Sequence, residues 1–186
     1  EWAAQGERID PATMPLARLV NSALDGVTGR EDEVRAEIAK YAAGDLLCYR
    51  AEAPAELVRR QAAAWDPVLE WARAELDVPL AVGQGIVPVS QPQAAIAAIE
   101  DILADLEALP LTAHHVITSL TGSAVLALAH ARGRLTAEEA WTAAHVDEDW
   151  QIGQWGEDAE AKARRARRWA EMQAASRLLG LVAPQS

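Results

Sequence analysis

Residues 93–110, Q-A-A-I-A-A-I-E-D-I-L-A-D-L-E-A-L-P, place apolar side chains at Ile96, Ile99, Ile102/Leu103, Leu106 and Leu109. Steps of three and four bring these onto one face of an α-helix, whereas a half-buried strand would step by two. The spacing predicts an amphipathic helix ending at Pro110. Thr112 to Arg132 continues in the same period with Val116/Ile117, Leu120, Ala124, Ala127/Leu128 and Ala131, and is expected to be the most buried helix of the chain. Its row Ser119, Ser123, Ala127 would let a neighbouring backbone approach closely. Two such helices in succession decide the fold class: mainly α, a helical bundle with short connections.

The pattern extends towards the C-terminus. Thr136-Ala-Glu-Glu139 is a capping box, in which the hydroxyl takes the third amide and the glutamate reaches back. The helix it opens is expected to run towards Trp150. A last helix is predicted from about Glu157 to Leu179, with Ala159, Ala163, Ala166, Trp169/Ala170 and Leu178/Leu179 on one side. In the N-terminal direction, Pro15 to Gly29 carries Leu16, Leu19/Val20, Ala23/Leu24 and Val27, a helix with a glycine stop. Val34, Ile38 and Tyr41 mark a second, halting at Gly44. Pro54 suits the first turn of a third, with Leu57/Val58, Ala62 and Trp65 on one face. Pro67 should bend or restart that helix, leaving Val68/Leu69, Ala72 and Leu76 on a separate piece. Asp45 to Arg50 leaves strand and helix both open, and Glu1 to Gln5 reads as the middle or end of a helix.

Residues 78–92, V-P-L-A-V-G-Q-G-I-V-P-V-S-Q-P, follow a different grammar. Three prolines and two glycines among β-branched residues predict extended chain or a short edge hairpin. The main internal boundary is placed here: 1–91 as an N-terminal helical portion with an extended linker, its first ten residues the end of a truncated domain, and 92–186 as a C-terminal helical domain.

Composition agrees with this architecture and excludes several functions. Alanine accounts for 41 of the 186 residues, and it combines the best helix propensity with a side chain small enough for close packing. Asp plus Glu number 28 against 17 Lys plus Arg, a formal net charge of −11. Such a balance opposes nucleic-acid binding, which needs a cationic surface. The single cysteine, Cys48, excludes an internal disulfide and reads as a buried small apolar residue. No apolar run approaches the roughly 20 residues that span a bilayer, so membrane insertion is not expected.

Chemistry-bearing residues concentrate at His145, Asp147, Glu148 and Asp149. Clustered carboxylates beside an imidazole suit a metal, and one reading is a metal-assisted hydrolase built on His145 and the carboxylates of Asp147 to Asp149. The D-x-D-x-Q opening at Asp147, Asp149 and Gln151 departs from a calcium loop, because glycine falls at its seventh position and Asp158 at its twelfth. His114 and His115 diverge by about 100° on a helix and cannot chelate one ion well. Gly83-Gln84-Gly85 lacks the third glycine of a nucleotide loop, and no nucleophile motif is present. The basic block Lys162, Arg164, Arg165, Arg167 and Arg168 is read as a charge-laced exposed helix face, with Glu160 to Arg164 in the favoured acid-first order. Trp141, Trp150 and Trp155 flank the acidic triplet, and tryptophan beside charge is the composition of interface hot spots.

Three blocks carry a family resemblance. The first is Thr13-Met14-Pro15-Leu16 with Asn21-Ser22-Ala23-Leu24-Asp25. The second is Asp45-Leu46-Leu47-Cys48-Tyr49-Arg50 with Pro54, Leu57, Gln61, Trp65-Asp66-Pro67 and Glu70-Trp71-Ala72. The third is Asp147-Glu148-Asp149-Trp150-Gln151-Ile152 with Trp155-Gly156. Together they resemble the assembly chaperone of the F-type ATP synthase that binds the catalytic-sector α subunit, found in mitochondria and α-proteobacteria. The resemblance implies a non-enzymatic protein without cofactor or metal, a monomer in the bacterial cytoplasm or the mitochondrial matrix. Its partner would be the unassembled α subunit, shielded from aggregation before the α/β hexamer forms. It implies a β-rich N-terminal domain in the family, largely absent from this chain. A key acid maps to Asp147 or Glu148. The expected contact set is Asp147, Glu148, Asp149, Trp150, Gln151 and Trp155.

Overall fold

The computed structural model describes residues 1–85 and 87–183, and it is mainly α-helical. Nine α-helices among the described residues are α1 (Pro15–Ser22), α2 (Glu31–Ala43), α3 (Ala55–Glu75), α4 (Gln93–Leu103), α5 (Ala108–Thr121), α6 (Ala124–Ala131), α7 (Ala137–Ala144), α8 (Val146–Trp155) and α9 (Ala159–Val182). The described residues of 78–92 before Pro92 contain a two-residue strand and a turn at Gly85, φ 72, and no helix. They form no hairpin: β2 (Gly83–Gln84) pairs in parallel with the distant β1 (Tyr49–Arg50), in the register Tyr49 to Gly83 and Arg50 to Gln84. The Gln91 side chain both accepts from the Ala81 amide, 2.8 Å, and donates to its carbonyl, 3.0 Å, which holds the segment folded back on itself.

At the N-terminus a single 3₁₀ turn, Trp2–Ala4, replaces the expected helix end. It brings the Glu1 carboxylate over the start of α1, where it accepts from the amides of Leu16, 2.9 Å, and Ala17, 2.8 Å. A carboxylate there satisfies two orphan donors and complements the helix dipole. After α1 the chain continues through a π turn, Ala23–Val27, before it stops near Gly29.

Three predicted helix boundaries move, each for a physical reason. Pro67 neither ends nor divides α3, which runs unbroken from Ala55 to Glu75. Both Pro67 and Ala63, whose carbonyl loses its partner, are exposed, so the orphaned acceptor lies on the solvent side of the helix, where water can reach it. Pro110 lies in the first turn of α5, where a missing amide hydrogen costs nothing, and so Leu109 belongs to α5 rather than α4. The stretch Thr112 to Arg132 is two helices. Gly122 adopts φ 70 and ends α5, and the Ser123 hydroxyl accepts from the Leu126 amide, 3.0 Å, to start α6. Ser123 is therefore a cap and not part of a packing stripe.

The core lies around α5 and α6. One apolar cluster joins α2, α3, α4, α5 and α6 through Ile38, Trp65, Ile99, Leu111 and Leu126. A second joins α1, α5, α7 and α9 through Leu19, Ile117, Trp141, Met172 and Leu178. Residues on either side of 78–92 share the first cluster. Full burial of one such side chain contributes about 1.5–3 kcal/mol. Trp65 is wholly enclosed, and its Nε1 donates to the Ala143 carbonyl, 2.7 Å, which clamps α3 to the end of α7. No described helix is long and apolar enough to cross a membrane.

Candidate functional site

The capping box at Thr136 forms as predicted, with the Glu139 amide donating to the Thr136 hydroxyl, 3.1 Å, and the Thr136 amide donating to the Glu139 carboxylate, 2.8 Å. The helix it opens stops at Ala144, and His145 begins a new one. His145 is buried, its ring 4.0 Å from the Trp141 ring, and Nδ1–H donates to the Trp141 carbonyl, 2.7 Å. Burial holds its pKa below the ordinary histidine value, against the opposing pull of that carbonyl. Trp141 packs in turn on Trp169, 5.3 Å between centroids. His145 is thus a buried wedge that turns the chain from α7 into α8.

α8 opens with Asp147, Glu148 and Asp149 in its first turn, where negative charge faces the positive end of the helix dipole. The three carboxylates point in three directions. Asp147 faces α3 and accepts from Gln61 Nε2, 2.7 Å; Gln61 is itself buried, and its Oε1 accepts from the Ala51 amide, 2.8 Å. Asp149 faces α9 and pairs with Arg165, whose pKa is raised chiefly by that hydrogen bond. Glu148 has neither tie. Its carboxylate lies 3.8 Å from His145 Nε2, and its side chain is 37% exposed, close to the 42% of Asp149, so what sets it apart is that no neighbouring helix holds it.

The rest of the expected contact set divides in the same way. Trp150 shares the α3 side with Asp147, and the Arg60 guanidinium sits 5.1 Å from its ring centroid. Gln151 and Trp155 follow Glu148 at helical spacing, and both are exposed; Trp155 is 79% open, the largest exposure of any bulky apolar side chain among the described residues. Glu148, Gln151 and Trp155 therefore form one outward stripe, while Asp147, Asp149 and Trp150 fasten α8 to its neighbours. Gly156, φ 85, ends the helix directly after Trp155.

Spacing alone did not reveal Gln61, Arg60 and Arg165, because each partner is far away in the chain. Gln61 nevertheless belongs to the second quoted block. The expected pair of Glu160 with Arg164 does not form; Lys162 pairs with Glu157, 3.0 Å, and Arg168 donates to the Leu120 carbonyl, 2.7 Å. The carboxylates and His145 do not converge on a metal position, and no group of three His, Cys, Asp or Glu side chains among the described residues could hold an ion. Cys48 is buried, and burial pushes its thiol up to about 12.

Comparison with known proteins adds a third line of observation. The family model described as ATP12 chaperone protein matches residues 1–73. A crystal structure of a candidate chaperone from Agrobacterium tumefaciens superposes with a TM-score of 0.93 at 48% identity, over 97% of this chain and 68% of that one. The crystal structure of Atp12 from Paracoccus denitrificans gives 0.92 at 42% identity, over 97% and 77%. A mutant of the same Paracoccus protein, with lysine in place of an aspartate, matches equally well.

Proposed function

This chain belongs to the ATP12 chaperone family, and on that premise we propose that it is an assembly chaperone of the F-type ATP synthase that holds the unassembled α subunit on the outward stripe of α8. The observation that carries the reading is an exposed Trp155 on the same helix face as Glu148, the one acid of the triplet that no neighbouring helix ties down. An unassembled subunit exposes an apolar surface that invites aggregation, so its holder needs a competing apolar anchor rimmed by polar groups. The holder must also let go. A narrow stripe of one tryptophan, one glutamine and one carboxylate supports release, because rim charges govern encounter more than residence. The ties of Asp147, Asp149 and Trp150 keep the stripe in place.

Glu148→Lys tests the reading, since it reverses the outward charge without touching either tie. The α subunit co-expressed with this variant is expected to precipitate, while circular dichroism of the variant stays that of the parent. Soluble α subunit at parental yield would remove Glu148 from the site. Trp155→Ala should weaken α-subunit binding by about 2 kcal/mol, roughly thirtyfold in Kd, as measured by titration calorimetry.

A further inference from the structure

We propose that the groove between α3 and the α7–α8 pair seats an amphipathic segment of the client whose apolar side chains are flanked by Lys or Arg; this rests on the reading of the chain as an α-subunit chaperone. Two adjoining depressions, of about 360 and 400 Å³, share Ala64 and Thr142 and so run as one channel. Along α3 it extends from Arg60 to Val68, about 12 Å at the helical rise. Two apolar side chains two turns apart on a client helix span about that distance.

The channel exists because both walls carry small residues. Ala63 and Ala64 on α3 face Thr142 and Ala143 on α7, and side chains of this size leave the helices apart at the surface. Its floor is apolar, with Val68 and Ala143 at the bottom and Leu135 and Val146 half-buried beside them. No side chain of the described residues fills it. The α7–α8 wall carries Glu138 and Glu139 at one end; at the other stands Asp149, already paired with Arg165. The opposite wall offers one cation, Arg60, already engaged by Glu56, 3.1 Å, and stacked near Trp150.

Charge decides among occupants. The carboxylates of Glu138 and Glu139, on a chain of net charge −11, repel phosphate and acidic peptides and draw a basic flank at that end. Through Asp149 the channel is also continuous with the helix that carries the outward stripe, so a client held at Trp155 has a second apolar seat within one helix length.

The buried, unreactive Cys48 makes a direct test possible, because Thr142→Cys would provide the one accessible thiol. The variant is labelled with a benzophenone maleimide, mixed with purified α subunit and irradiated, with the exposed α4 position Glu100→Cys as control. Crosslinks to the α subunit are expected from position 142 in large excess over position 100. Glu138→Lys should reduce the yield at 142 severalfold with an unchanged melting temperature. Equal yields at both positions, crosslinks between two copies of this chain, or bound α subunit with position 142 silent would each overturn the groove and leave the chaperone reading standing. Failure of the unlabelled parent chain to retain α subunit on size exclusion would overturn both.

Discussion

Asp45 shows what one buried side chain contributes. It is fully enclosed, and its carboxylate accepts from the amides of Leu47, 3.1 Å, and Val125, 3.2 Å, the second on α6. The neighbouring Leu46 amide donates to the Gly122 carbonyl, 3.0 Å, so the loop after α2 is pinned at the α5–α6 junction by two separate bonds. Burial pushes the Asp45 pKa up to about 6, against hydrogen bonds from Ser123, Leu47, Val125 and Ala124 that oppose the rise. The folded protein therefore holds the Asp45 proton more tightly than the unfolded chain does. Its contribution to stability is greatest below the ordinary aspartate value of 3.8 and is lost as pH rises through about 6, a swing on the order of 3 kcal/mol. Asp45→Asn removes that ionisation. The melting temperature of the parent relative to Asp45→Asn is expected to climb as pH falls from 7 to 4, read by calorimetry at three or four pH values. A constant difference would mean that Asp45 is already protonated, or charged at no cost, across the range. The buried His114 and His145 pull the other way, since burial depresses both and acidification below 6.5 opposes folding at each. The variant isolates Asp45 from them.

At the scale of elements, the helices were legible in the sequence and their ends were less so. Ile96, Ile99 and Leu103 announced α4, and Thr136 with Glu139 announced α7, because period and capping are local properties. The junction of α5 and α6 was signalled too, by Gly122 followed by Ser123, a stop beside a start. It was masked because Ser119, Ser123 and Ala127 keep a four-residue spacing across the break. Pro67 misled in the opposite sense, since only the tertiary structure tells that its orphaned carbonyl faces water. Gly122 is where the α5–α6 junction depends on one residue. At φ 70 an L side chain is strained, while its Cβ would meet Leu46 Cβ at an ordinary 3.7 Å. Gly122→Ala should therefore lower stability by about 1–2 kcal/mol through the backbone alone, seen as a lower urea midpoint with an unchanged slope. The site divides along the same line. The concentration of acid and tryptophan at 147–155 was visible locally, but which acids face inward depends on Gln61 and Arg165, and no spacing rule couples Asp147 to a residue 86 positions earlier.

For the whole molecule, the consequence is a gradient of stability. α5 and α6 lie at the centre, and every residue of α6 from Ala124 to Ala129 is buried. α8 has no buried residue. It is attached by half-buried Val146 at the edge of the first apolar cluster, by the bond from buried Gln61 to Asp147, and by the more exposed Arg165–Asp149 pair and Arg60–Trp150 stack. Ties of this kind contribute about 0.5–1.5 kcal/mol for the hydrogen bond and less than about 1 kcal/mol for an ion pair as exposed as Asp149. Their sum falls well short of what burial gives α6, and α8 is therefore expected to open without the rest of the chain unfolding. In native-state hydrogen exchange the α8 amides should exchange through local opening, with protection far below that of α6. Asp149→Ala should speed exchange in α8 and leave α5 and α6 unchanged, and added salt, which screens the pair, should shift α8 in the same direction by a smaller amount. Uniform protection across α6 and α8, or an Asp149→Ala effect spread evenly over the chain, would place α8 within the cooperative core. A face that opens on its own can adapt to a client and withdraw from it while α5 and α6 remain folded, which is the property a transient holder of another subunit requires.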